Sequence, residues 1–228
     1  MKRQVALAVL MSTLILTACQ KKDKQEEAPA AAPAPAAAPA PVPAAAAPAA
    51  AAPTAEQEEL ARKQALLDYG TMEDKYLNDP KGQWAASAKA SSTFGDDNGR
   101  EPSPVNMAKN AAGPSDDNDW SNNNQDKGFD WLELGYAKPV NATEVRVIVP
   151  GGDGVEAINK VELQDTDGKW NTVWSGISDV KQDRRGNRTW FVRTFDKTAY
   201  KVKGVKITIA NNIQRGYKKV DAVQLVGE

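Results

Sequence analysis

Ala28 to Pro53 is a tract of 26 residues, of which 17 are Ala, eight are Pro and one is Val. Proline at this density removes backbone donors and breaks the helix that alanine alone would favour. None of these side chains can build a core. The tract is therefore predicted to stay extended and disordered as a spacer. In polyproline II geometry it would reach roughly 80 Å. Any fold must lie to one side of it, and the two sides are unlike.

On the amino-terminal side, Lys2 and Arg3 precede a run of 12 mostly apolar residues, Val5 to Leu16. As a helix this run spans roughly 18 Å, against a bilayer core of about 30 Å. Residues 1–18 read as a signal peptide, not a membrane span. The run ends Leu16-Thr17-Ala18-Cys19, which resembles the bacterial lipobox. The resemblance implies diacylglycerol on the Cys19 sulfur, cleavage after Ala18 and acylation of the new amino terminus. Several acyl chains give stable anchoring where one is marginal. Cys19 is also the only cysteine in the chain, which excludes an internal disulfide and cysteine-ligated metal. Gln20 stands where aspartate would mark inner-membrane retention, so the expectation is a lipid-anchored envelope protein, sorted to the outer membrane and facing the periplasm or the cell surface. Residues 19–53 are then the lipidated terminus and spacer.

On the other side, residues 54–80 read as a helical segment. Thr54 with Gln57 fits a capping box, and Glu56, Glu58 and Glu59 suit the positive end of the helix dipole. Leu60 and Leu67 share one face; Leu66, Tyr69 and Tyr76 form a second apolar line. Asp79-Pro80 ends the segment, and Gly70 is a point where it can break. The apolar stripe predicts docking onto the domain that follows, or self-association.

Residues 81–228 hold all six tryptophans, and their apolar period is two. Val145, Val147 and Val149 alternate, as do Val161 and Leu163, Val205, Ile207 and Ile209, and Val223 and Leu225. Shorter candidates are Ala85 to Ser91, Trp131 to Leu134, Asn171 to Trp174 and Thr189 to Phe195. Turns such as Pro150-Gly151-Gly152-Asp153-Gly154 and Asp165-Thr166-Asp167-Gly168 separate them. About eight short strands, with no crossover helix between them, predict an all-β antiparallel sandwich or jelly roll.

The order of several segments resembles the discoidin-like, galactose-binding-like domain (coagulation factor 5/8 type C). They are Ala88-Lys-Ala-Ser-Ser92, Asn110-Ala-Ala-Gly-Pro114 leading to Trp120, Trp131-Leu-Glu-Leu-Gly135, Val161 to Trp170, Val205-Lys-Ile-Thr-Ile209 and Val220 to Gly227. The resemblance covers almost all of residues 81–228. It implies a β-sandwich that binds glycans, lipid head groups or proteins through loops at one end. It also implies a structural calcium near an Asn-Ala-x-Asp-Gly turn, helped by an acid in the last strand. Here Ala112 stands where that aspartate would be. Asp116, Asp117 and Asp221 remain candidate calcium ligands, because calcium takes six to eight oxygens. The same acids can instead cap turns.

Trp120, in the polar stretch Ser115 to Lys127, and Trp190, after a basic loop, are candidate stacking platforms for a sugar's apolar C–H face. Trp131, Trp170 and Trp174 are expected to pack the core or close its ends. Charge is segregated. Residues 81–135 carry a net −4, while residues 181–219 carry 12 basic and two acidic residues. Arg184, Arg185 and Arg188 crowd one loop and are candidate anion ligands. The competing account pairs these cations with the domain's own acids.

The chain has no histidine, which excludes Ser-His-Asp, Cys-His and His-metal chemistry. No nucleophile elbow or phosphate loop is present. The expectation is a non-enzymatic binding module for carbohydrate or an anionic envelope polymer, with no cofactor beyond calcium and no nucleic acid. The alternative is a protein-interaction lipoprotein with no small ligand.

Overall fold

The computed structural model describes residues 52–96 and 103–228. The expected signal peptide, Cys19 and nearly all of the Ala/Pro tract lie outside the described residues. The described residues form one compact unit.

Helix α1 (Ala55–Leu77) opens with the capping box. Thr54 Oγ1 accepts from the Gln57 amide at 3.3 Å, and Gln57 Oε1 accepts from the Thr54 amide at 2.8 Å. The helix runs through Gly70 without a break. Eleven strands follow: β1 (Gly82–Trp84), β2 (Ser87–Ala90), β3 (Trp120–Ser121), β4 (Phe129–Val140), β5 (Ala142–Pro150), β6 (Ile158–Asp165), β7 (Trp170–Ser175), β8 (Arg188–Thr194), β9 (Val202–Ala210), β10 (Lys219–Val220) and β11 (Ala222–Gly227). They make a four-stranded sheet in the order β1-β11-β5-β8 and a five-stranded sheet in the order β2-β4-β9-β6-β7, with β10 and β3 as a separate ribbon. Every pairing is antiparallel. The architecture is an antiparallel β-sandwich.

The alternation in the sequence supplies the two inner faces. Val145, Val147, Val149, Phe191, Val223 and Leu225 from one sheet meet Leu132, Leu134, Val161, Leu163, Val205, Ile207 and Ile209 from the other in one buried cluster. Burying such side chains stabilises by about 1.5–3 kcal/mol each. The outer face of the four-stranded sheet is also apolar: Ile148, Trp190 and Ala222 form a second cluster, packed against Trp84 and Val192 of the sheet and Met72 and Tyr76 of α1. Helix α1 therefore covers this face through Tyr69, Met72 and Tyr76. Leu60, Leu66 and Leu67 stay 68%, 50% and 64% exposed. Asp79, just past the helix, pairs with Arg146 of β5 at 2.8 Å, and the Arg146 guanidinium lies 4.3 Å from the Tyr76 ring centroid.

The tryptophans divide in an unexpected way. Trp174 packs against the core and Phe191, as expected. Trp131 and Trp170 do not. Leu132 follows Trp131 and points inward, and Asn171 follows Trp170 and lies opposite the inward Leu163, so both indoles lie on the outer face of the five-stranded sheet.

Candidate functional site

Phe129 at the start of β4 pairs with Ala210 at the end of β9, so the loops 122–128 and 211–218 leave the sheet at the same end. The β3–β10 ribbon fastens them, with Trp120 opposite Val220 and Ser121 opposite Lys219. Between the loops lies an open basin of about 480 Å³ lined by Asn123, Asn124, Gln125, Asp126, Lys127 and Tyr217. Tyr217 meets the ring of Phe94 edge-on, with centroids 4.6 Å apart.

The basin rests on a buried polar network. Asp130 is 1% exposed. Its carboxylate accepts from Ser91 Oγ at 2.7 Å, Ser92 Oγ at 2.8 Å, and the side-chain amides of Asn122 and Asn211, each at 2.9 Å. Burial pushes the Asp130 carboxyl up, but these hydrogen bonds outweigh it and hold the group below the ordinary carboxylate value. Asn122 Nδ2 also donates to Asn124 O, and Asn122 Oδ1 accepts from the Lys218 amide at 2.7 Å. Lys218 is fully buried. Its ammonium donates to Gln125 O and Gly216 O, one carbonyl from each wall of the basin. Burial moves its pKa down, opposed by Asp126 and Asp130. The loops are thus set by buried side chains, as a preorganised site requires.

What these walls present is three amide side chains, one acid, one base and one aromatic ring. Amides both donate and accept, so they match hydroxyl groups, which do the same. Asp126 and Lys127 cancel in charge. The basin suits an uncharged polyhydroxylated ligand with one apolar face.

The candidates from the sequence fall elsewhere. Trp120 is a correction: it is 0% exposed, inside the core cluster, with its indole N–H donating to Ser92 O at 2.9 Å. It cannot stack on a ligand, because its ring is enclosed among the core side chains. Trp190 is a second correction. It is buried beneath α1, 5.1 Å from the Tyr76 ring, with its N–H 3.4 Å from Glu73. Arg185 and Arg188 do come together, lining a hollow of about 440 Å³ with Tyr69, Glu73 and Asp117. Their charges are already engaged. Asp183 chelates Arg185 through three hydrogen bonds, and Arg188 lies 3.5 Å from Glu73, 3.3 Å from Asp117 and 3.9 Å from Asp221. Arg184 is exposed and lines no part of that hollow.

The calcium set Asp116, Asp117 and Asp221 is also corrected. Among the described residues no group of three acids is placed to hold a metal ion. Asp221 accepts from Ser115 Oγ and from the Asp116 amide, Asp116 turns back to the Asn118 amide, and Asp117 pairs with Arg188. A guanidinium occupies the place expected for a cation.

Missed in the sequence were Asn123, Asn124, Gln125 and Tyr217. The run of four amides from Asn122 to Gln125 was the available signal. Consecutive amides have no periodic partner, and only the fold shows that the first is buried structure while the next three line a surface.

No family model matches the chain, and no curated protein matches it. Solved structures do. Chitosan-binding module 1 of a chitosanase/glucanase from Paenibacillus sp. IK-5 superposes with a TM-score of 0.47 at 14% identity, covering 63% of this chain and 96% of that one. The family 32 carbohydrate-binding module of NanJ from C. perfringens, in complex with galactose, gives 0.45 at 16%, covering 63% and 98%. A further such module from Clostridium perfringens, in complex with GalNAc-beta-1,3-galactose, gives 0.46 at 14%, covering 64% and 100%.

Proposed function

We propose that this chain is a non-catalytic carbohydrate-binding module and that the loop basin is its sugar site. The observation that carries the reading is the convergence of Asn123, Asn124 and Gln125 on one wall-to-wall basin with Tyr217, above a buried network that fixes both loops. A pyranose would lay its C–H face on Tyr217 and exchange hydroxyl hydrogen bonds with the amides. The balanced charge of the walls favours a neutral sugar there over an anionic polymer. Binding the full chain to a glycan array tests this. Retention of neutral glycans, weakened by Asn124→Ala, is expected; an array on which only sulfated or phosphorylated glycans bind would overturn it.

The setting is part of the proposal. The Lys2-Arg3 start, the short apolar run and Leu16-Thr17-Ala18-Cys19 support a lipid-anchored envelope protein, with the Ala/Pro tract as spacer. Cys19→Ser should then abolish acyl labelling and release the protein from membranes. Membrane association without any acyl label on the unaltered chain would reject the anchor.

A further inference from the structure

The outer face of the five-stranded sheet carries features that the basin does not use. One row of cross-strand neighbours runs Ser87, Gly135, Gly204, Gln164, Trp170, from β2 across to β7. The two glycines leave the middle of the row without side chains. The result is a trough of about 150 Å³ lined by Ser87, Lys89, Glu133, Gly135, Gln164 and Trp170. That is room for on the order of five waters, enough for one sugar ring lying open on the sheet. Neither glycine accepts a side chain readily: a Cβ on Gly135 would come 2.6 Å from Ser87 Oγ, and one on Gly204 would meet Gln164 at 3.2 Å and Leu134 O at 3.3 Å.

The next row is a ladder of charges: Lys89, Glu133, Lys206, Glu162. Lys206 pairs with Glu133 at 2.7 Å, and Lys160 pairs with Glu162 at 3.0 Å. Lys89, which lines the trough, joins no ion pair among the described residues. The Lys206 ammonium also sits 5.0 Å from the Trp131 ring centroid and 5.1 Å from that of Trp170. This cation–π contact props the indoles on a face that strand alternation would otherwise make wholly polar. It accounts for the lysine between the rings. It does not account for the trough beside Trp170, floored at Gly135 by bare backbone, with a lysine at its edge that joins no ion pair among the described residues.

We infer that this trough is a second saccharide site, separate from the loop basin, and that it takes a sugar ring bearing a carboxylate. The ring's C–H face lies on Trp170. Its hydroxyls meet Gln164, Ser87 and Glu133, and its carboxylate meets Lys89. With a basin for neutral sugar at one end and a uronate site on a face, the module would hold two points of a mixed polymer at once, which raises avidity.

The probes are methyl glucuronide and its neutral counterpart methyl glucoside, titrated into the full chain while the six indole N–H resonances are followed by NMR. The glucuronide is expected to shift the Trp170 resonance saturably. Tyr217→Ala should leave that shift intact, so failure of the basin and failure of the trough are distinguishable. Lys89→Gln, an exposed change that spares the fold, should weaken glucuronide binding about two- to five-fold, the scale of an exposed ion pair, and leave glucoside unaffected. Trp170→Ala should remove the glucuronide response from the remaining indoles. A Trp170 resonance unmoved by glucuronide would overturn the proposal. So would equal responses to both probes, or Lys89→Gln binding at full strength.

Discussion

Asp130 shows how one buried carboxylate can set a binding surface. Five side chains donate to it, those of Ser91, Ser92, Asn122, Asn124 and Asn211, and Asn122 relays its position to Lys218. Replacing it with Asn keeps the shape but turns an amide N–H₂ toward donors. Hydrogen bonds to charged groups contribute roughly 1.5–3 kcal/mol each. Asp130→Asn should therefore destabilise by about 3 kcal/mol or more, measured by chemical denaturation. Its carboxyl is held below the ordinary 3.8 in the folded chain. A depressed folded-state value gives stability that is present above pH 3.8 and lost as pH falls through the folded value. The melting temperature should drop over that acid window, and Asp130→Asn should flatten that part of the drop. The basic loop offers a paired comparison. Arg184 is exposed, so Arg184→Glu should change stability by no more than about 0.5 kcal/mol. Arg188→Glu places a fourth carboxylate beside Glu73, Asp117 and Asp221 and should cost about 1–3 kcal/mol, because it leaves the buried Asp221 without its cation. Equal melting temperatures for the two variants would contradict the pairing described for Arg188.

Helix α1 is the element whose role the sequence half disclosed. Its cap was legible because a capping box is a local pattern, and its end because Asp79-Pro80 is a local stop. Which face docks was not, since that depends on a surface built from distant strands. Leu60 and Leu67 looked like an apolar line and stay exposed, whereas Met72 and Tyr76 meet Ile148 and Trp190 and the Tyr69 hydroxyl donates to Arg188 O at 2.9 Å. One hint was present: Ile148 interrupts the alternation of Val145, Val147 and Val149, which makes both faces of β5 apolar. Trp131 and Trp170 were misjudged for the converse reason. Tryptophan implies burial only on the inward parity, and their parity is outward. Gly70 is helical, with nothing within 4 Å of where a Cβ would stand. Gly70→Ala should raise stability by roughly 0.5–1 kcal/mol. Deleting residues 52–80 should uncover Trp190 and Ile148, lower the melting temperature and promote association; an unchanged melting temperature would show that the helix contributes nothing to the sandwich.

Across the whole molecule, charge that looks segregated along the sequence is paired in space. Lys181 meets Glu156, Arg193 meets Asp179, Lys197 meets Glu228, Lys206 meets Glu133 and Lys219 meets Asp119. Most of the cations of residues 181–219 are matched in this way by acids of the same domain, which weakens the field that would attract a polyanion. The sandwich was legible because period two is a property of each strand alone. The site was not, because a loop basin depends on which strand ends the topology brings together. Calorimetric titration of neutral oligosaccharides into the full chain and into Tyr217→Ala tests the carbohydrate reading most directly. The account predicts saturable binding by the unaltered chain, little affected by salt, and its loss in Tyr217→Ala at an unchanged melting temperature. Undiminished binding by Tyr217→Ala, or no neutral saccharide bound by the unaltered chain, would contradict it.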